Sequence, residues 1–174
     1  MPNQGTESQF EATTIERLEG LGYRYEYGGG IARELQEVVI TEWVRSFVSF
    51  RYPHLNPEAV EAAVVKASRP EGVTAVQRNM NFHGLLTRGF EQRYRKADGS
   101  EDYEHIHLVD WQNVENNDLC VVNQLSIRGQ NDRRPDVLIY LNGFPVVLFE
   151  LKNPYEEEPN TLGAFNQVQD RKSV

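Results

Sequence analysis

The chain has 174 residues and a mass of 20.0 kDa, with 39% hydrophobic, 25% charged and 10% aromatic residues, which fits one globular domain with its own core. Its 18 basic and 26 acidic residues leave a net charge of −8, a poor match to nucleic acid as a whole-chain average, though carboxylates that hold a divalent cation count as negative until it binds. The single cysteine, Cys120, excludes an internal disulfide and points to a reducing, cytoplasmic setting; no apolar run approaches the ~20 residues of a membrane span, and MPNQGTESQF is not a secretory signal.

From Glu7 to about Leu21, Phe10, Thr14, Leu18 and Leu21 recur three or four apart and predict an amphipathic helix closed by Gly20 and Gly22. Gly28-Gly29-Gly30 reads as loop; no strand precedes it and no Lys-Ser/Thr follows, so it is no phosphate cradle. A second, longer helix is expected from Ile31 to Phe50, with Leu35, Val38, Val39, Trp43 and Phe47 on one stripe. Asn56-Pro57-Glu58 has the form of a helix start: Asn as cap, Pro in the first turn, an acid beside the positive end. Ala59, Val60, Ala63, Val64 and Ala67 continue that helix until Pro70-Glu71-Gly72 breaks it.

The second half reads as strands. Gly89 to Arg95, Ile106 to Trp111 and Leu119 to Ile127 are short segments of strand type. A polar stretch, Arg128 to Arg134, precedes two strongly apolar runs, Val137 to Leu141 and Phe144 to Leu151, which predict a hairpin buried on both faces. Thr161 to Lys172 is a final helical candidate. The expectation is a single α/β (α+β) domain over residues 1–174, with helices concentrated in 7–68, a strand block over 89–152, and helices flanking a central mixed sheet.

Asp136, Glu150 and Lys152 carry the chemistry. Residues two apart on a strand share a face, so Glu150 and Lys152 project together. Acids and a lysine at the end of an apolar hairpin are costly there without a partner or a metal. Two carboxylates suit Mg²⁺, and a lysine beside them can activate water or offset charge on a phosphoryl group. If Asn142-Gly143 is a two-residue turn, Asp136 lies opposite Phe149 and away from Glu150. If Leu141-Asn142-Gly143 is a three-residue loop with Gly143 as a left-handed bulge, Asp136 lies opposite Leu148 and joins Glu150. The chemistry therefore requires the bulged loop. A structural ion pair at a strand end is the competing reading.

The stretch RPDVLIYLNGFPVVLFELKNP, Arg134 to Pro154, resembles the nuclease motif of the PD-(D/E)xK superfamily. More narrowly, the chain is similar to the N-terminal endonuclease domain of the R (restriction) subunit of type I restriction–modification enzymes. Further pieces match in order: Glu7-x-x-Phe10-Glu11, Leu18-x-x-Leu21-Gly22-Tyr23, Val109-Asp110-Trp111, Asn116 with Val121-Val122-Asn123-Gln124, and Ala164-Phe165-Asn166-Gln167. The resemblance implies a restriction-endonuclease-like core, Asp136 and Glu150 as metal-binding acids, Lys152 as the catalytic lysine, and a helix acid, Glu11 or Glu7, completing the site. It also implies Gln-x-x-x-Tyr on the last helix; Gln167 fits, whereas position 171 is Arg171, which can contact a phosphate instead. Arg128, Arg133 and Arg134, just before the Asp136 strand, are candidates for phosphate contact. His105 and His107 have no third ligand at a recognisable spacing and read as strand surface; Cys120 reads as a small core residue.

The function so implied is Mg²⁺-dependent hydrolysis of phosphodiester bonds in double-stranded DNA. The partners are methyltransferase and specificity subunits and the subunit's own motor domains, with no membrane. No GxxxxGK[ST] occurs here, so ATP belongs to motor domains outside a chain that reads as a fragment or isolated coding region. The alternatives are a stand-alone nuclease of the same superfamily and a catalytically inactive assembly module of the same fold.

Overall fold

The computed structural model describes residues 6–152. Helix α1 (Glu7–Gly20) matches its expected span and starts with a capping box between Thr6 and Gln9. A short strand, β1 (Arg24–Tyr27), follows; RYEY carries no apolar run, and the sequence did not reveal it. The expected long helix is corrected to α2 (Thr41–Arg51), half its length. The preceding decade is held in irregular form because its polar groups have tertiary partners. The Val38 carbonyl accepts from the Tyr140 hydroxyl at 2.9 Å, the Leu35 carbonyl from the Arg128 N–H at 2.9 Å, and the Ile40 N–H donates to the Gly143 carbonyl at 2.9 Å. With those groups engaged, helical bonds have nothing to add.

Helix α3 (Pro57–Ser68) forms as its sequence predicts: the Asn56 side chain accepts from the Ala59 N–H at 2.8 Å, and Ala59, Val60, Ala63, Val64 and Ala67 are all buried. Each fully buried valine contributes roughly 1.5 kcal/mol or more. Helix α4 (Ala75–Arg88) was not anticipated. Its stripe is thin, with Val76 and Met80 exposed, yet Phe82 packs on Phe144 with ring centroids 5.4 Å apart. The Thr74/Gln77 capping box was the available signal. Strands β2 (Phe90–Arg95) and β3 (Glu101–Ile106) pair antiparallel as a separate two-stranded sheet. The strand expected over Ile106 to Trp111 is thus displaced toward the N-terminus, the chain having turned at Asp98-Gly99, where Gly99 has φ 87°.

The main sheet has the order β1, β4 (Leu119–Asn123), β5 (Val137–Leu141), β6 (Phe144–Phe149). β1 runs parallel to β4, and the other neighbours are antiparallel. The α+β architecture with a mixed sheet and flanking helices therefore stands. Cys120, Val122, Leu138 and Tyr140 share one face and form a core with Ile40, against which Trp43 packs. Cys120 is fully buried, which pushes its thiol up to about 12. β5 is buried on both faces, but β6, an edge strand among the described residues, is not: Val146, Val147 and Leu148 are exposed.

Residues 107–118 are organised around Asp110, which is fully buried. Its carboxylate accepts from the N–H of Asn113 at 3.0 Å, the Asn116 amide at 2.9 Å and the N–H of Gln112 at 3.1 Å, and pairs with the Arg51 guanidinium. The Asn113 bond is the largest cause, then Asn116, and together with Gln112 and Arg51 they lower its pKa to about 2. An unfolded aspartate titrates near ~3.9. The folded value is the lower one, so this stabilisation is complete above the unfolded value and is lost as pH falls toward about 2. Asp110→Asn is expected to lower the melting temperature at neutral pH and to flatten the acid side of the stability curve, read by thermal melting across pH. An unchanged acid limb would refute the role.

Candidate active site

The β5–β6 hairpin decides whether the acids meet. The turn is the two-residue form: Leu141 faces Phe144 and Tyr140 faces Pro145, with Asn142 at φ 51° and Gly143 at φ 92°. The three-residue loop with its bulge at Gly143 is thus corrected. The register then slips between Tyr140 and Ile139, so that Ile139 faces Val147, Leu138 faces Leu148 and Val137 faces Phe149. Val146 is the extra residue of a bulge next to Pro145, whose missing N–H already interrupts the ladder. The turn alone would separate the acids, and the bulge restores their alignment. Continuing the register one step sets Asp136 opposite Glu150. The Leu151 N–H donates to Asp136 Oδ2 at 2.7 Å, which ties the end of the hairpin together at that point. Asp136 and Glu150 are half-buried and Lys152 is exposed; β6 ends at Phe149, shorter than expected, so Glu150 and Lys152 extend past its last residue.

Asn142 anchors the turn from inside. It is fully buried; its amide donates to the Leu108 carbonyl and to Asn117 Oδ1, both at 2.9 Å, and its Oδ1 accepts from the Asp118 N–H at 2.8 Å. Gly143 abuts the start of α2, where an added Cβ would lie 2.7 Å from the Ile40 carbonyl oxygen and 2.8 Å from the Val44 nitrogen.

Of the two helix acids, Glu11 reaches this end of the sheet. Glu11 Oε1 accepts from the Asn123 amide at 2.7 Å and the Gln124 amide at 3.0 Å, and Oε2 accepts from Gln124 at 2.9 Å. Glu7 is exposed in the first turn of α1. Sequence reading placed Asn123 and Gln124 in the matching motif without giving them a role; two adjacent amides closing an apolar strand were the signal. Asp136 and Glu150 supply the oxygen donors that Mg²⁺ takes, and Mg²⁺ commonly binds one or two carboxylates with waters and phosphate completing its shell, so the residues fit. Among the described residues no three His, Cys, Asp or Glu side chains form a metal-holding group.

Arg128, Arg133 and Arg134 come together. Ile127 and Arg133 form a bridge through paired backbone bonds of 2.7 and 2.8 Å, and the three arginines line a cleft of about 350 Å³ with Asp132, Leu35, Ser126 and Ile127. Among the described residues none of the three is in an ion pair. A cleft of about 1030 Å³ lies between α3 and α4, and its lining contains none of Glu7, Glu11, Arg128, Arg133, Arg134, Asp136, Glu150 and Lys152. His105 and His107 lie with ring centroids 4.7 Å apart and planes tilted by 48°, and His105 Nε2 lies 2.7 Å from the Arg88 carbonyl. Gln167, Arg171 and the last expected helix lie outside the described residues. No helix among the described residues is long and apolar enough to cross a membrane.

Comparison with known proteins identifies the family. Residues 4–174 match the family described as type I restriction enzyme R protein N terminus. The type I restriction enzyme HindI endonuclease subunit of Haemophilus influenzae is 38% identical over 176 residues, covering 95% of this chain and 17% of that protein. A provisionally named type I restriction enzyme MjaIXP endonuclease subunit of Methanocaldococcus jannaschii is 25% identical over 173 residues, covering 90% of this chain and 16% of that protein. The chain thus spans about a sixth of the length of these curated relatives. With the motif, the fold and the match in agreement, the chain belongs to the family of N-terminal domains of type I restriction enzyme R proteins.

Proposed function

We propose that this domain is the Mg²⁺-dependent endonuclease part of a type I restriction enzyme R subunit and hydrolyses phosphodiester bonds in double-stranded DNA. The alignment of Asp136 with Glu150 across the bulged hairpin, with Lys152 two residues on, supports this reading most strongly. Asp136 and Glu150 would hold the ion, which when bound polarises the phosphate and lowers the pKa of a coordinated water. Lys152, exposed at the end of the hairpin, is free to approach a phosphate of the duplex and offset its developing charge. Arg128, Arg133 and Arg134 position the backbone, and the resemblance adds Gln167 and Arg171 as supporting contacts. Target reading then falls to the specificity subunit, beside the methyltransferase subunits. ATP serves motor domains elsewhere in the R subunit.

The isolated chain is expected to bind duplex DNA weakly, with affinity falling steeply as salt rises. Neutralising Arg128, Arg133 and Arg134 together is expected to reduce the log–log salt slope by about 2–3, since each phosphate contact contributes roughly 0.9, with no change in sequence preference. Binding confined to one DNA sequence would contradict the assignment of target reading to another subunit. Cleavage of supercoiled DNA by the full-length protein, with its partners and ATP and without them, separates this reading from a stand-alone nuclease, which would cut in both conditions. An inactive module would cut in neither.

A further inference from the structure

Gln124 stands where three strands of the main sheet reach a common end. β4 pairs with β5 so that Asn123 faces Val137, and one step further the Gln124 N–H donates to the Asp136 carbonyl at 3.3 Å. Gln124, Asp136 and Glu150 therefore form one transverse row. Successive strand residues point to opposite faces, yet the side chains of Asn123 and Gln124 both bond the same carboxylate, Glu11. That is possible because Gln124 leaves strand geometry, with φ 56°, one of two non-glycine residues in the left-handed region among those described. Such a conformation costs a non-glycine residue of order 1 kcal/mol or more and persists only where surroundings impose it. Here the imposing contact is a carboxylate on a helix more than a hundred residues away in sequence.

Glu11 is itself well occupied. It accepts three amide N–H bonds, and a carboxylate offers about four acceptor positions. Its geometry is that of an anchor for the amides.

We infer that Gln124 is a positioning residue for the proposed metal pair: Glu11 locks its side chain, and its backbone N–H then fixes the Asp136 main chain in line with Glu150. This rests on the reading of Asp136 and Glu150 as metal acids. Glu11 accordingly acts through Gln124 and Asp136, at one remove from the ion, as outer-shell partners of metal ligands do.

The test uses the whole chain with Mn²⁺ as probe, its binding followed by the loss of the free-ion paramagnetic resonance signal, beside melting in chelator. Gln124→Gly suits the left-handed backbone but removes the anchor. It should melt in chelator at or above the parent temperature, while Mn²⁺ affinity falls about 10-fold or more, the range of outer-shell losses. Glu11→Gln should show a comparable fall, and the double variant should be no worse than either alone, since both cut one chain of contacts. Gln124→Asn, which tolerates the same backbone and keeps an amide, should recover part of the affinity.

Parent-like Mn²⁺ affinity in Gln124→Gly, with Asp136→Asn clearly weakened, would overturn the inference and leave the contact as a tether of α1. Parent-like affinity in Asp136→Asn would instead sink the metal reading, and the positioning role with it. Additive losses in the double variant would place Glu11 and Gln124 on separate paths and equally overturn the coupling.

Discussion

Asp136→Asn is expected to reduce DNA cleavage by the full-length protein at least about a hundredfold while leaving the metal-free fold as stable as the parent. Loss of a mere outer-shell partner costs about 10–100-fold, and replacing an anionic oxygen ligand by a neutral amide removes more. Stability should survive because the bond that Asp136 makes with its own side chain is accepted, from the Leu151 N–H to Oδ2, and the amide oxygen of asparagine can accept it in the same place. Facing Glu150 in the register, Asp136 also carries like charge, and neutralising one of the two relieves whatever repulsion the metal-free pair holds. Melting with chelator and with Mn²⁺ reads both effects: the rise on adding metal should be large in the parent and small in the variant. A variant that cuts at the parent rate would remove Asp136 from the reaction. One that melts far below the parent in chelator would make it a structural ion-pair residue instead.

Gly143→Val is expected to be the most damaging single change in the hairpin, by about 2–5 kcal/mol, enough at its upper end to unfold a marginal domain. Two costs add. A β-branched residue is forced to φ 92°, of order 1–2 kcal/mol. Its Cβ also meets backbone atoms that cannot yield, the Ile40 carbonyl oxygen at 2.7 Å and the Val44 nitrogen at 2.8 Å, an overpacking of about 1–3 kcal/mol. Relief would require moving α2 off the hairpin and breaking the 2.9 Å bond from the Ile40 N–H to the Gly143 carbonyl. Chemical denaturation of variant and parent measures the difference. A loss below about 1 kcal/mol would show that α2 can shift freely, contrary to its buried packing.

Where local and tertiary signals agree, the sequence was legible. α3 is the clear case, since cap, proline, first-turn acid and apolar stripe all describe the same helix. In the segment before α2 the stripe was equally good, yet the chain is not helical there, because the Leu35 and Val38 carbonyls serve β-side partners invisible to periodicity. β1 was missed because it pairs in parallel with a strand nearly a hundred residues on, and its four residues carry no pattern of their own. For the acids, the expected alignment of Asp136 with Glu150 appears by a route not foreseen. Gly143 speaks only to the turn, while the compensating irregularity sits at Pro145 and Val146, two and three residues downstream. Glu7 and Glu11 were indistinguishable by spacing; only the partner amides at the end of β4 separate them.

That compensation constrains how related chains can diverge. Tight turn and bulge each reverse the facing of everything beyond them, and together they cancel. Losing or gaining one residue anywhere between Tyr140 and Glu150 would turn the terminal acid and its lysine to the opposite side of the sheet from Asp136. Insertions and deletions in this hairpin are therefore tolerable in twos, or singly only when a second irregularity appears with the first. Lineages that keep the chemistry should preserve the parity of this segment even where they exchange every side chain in it.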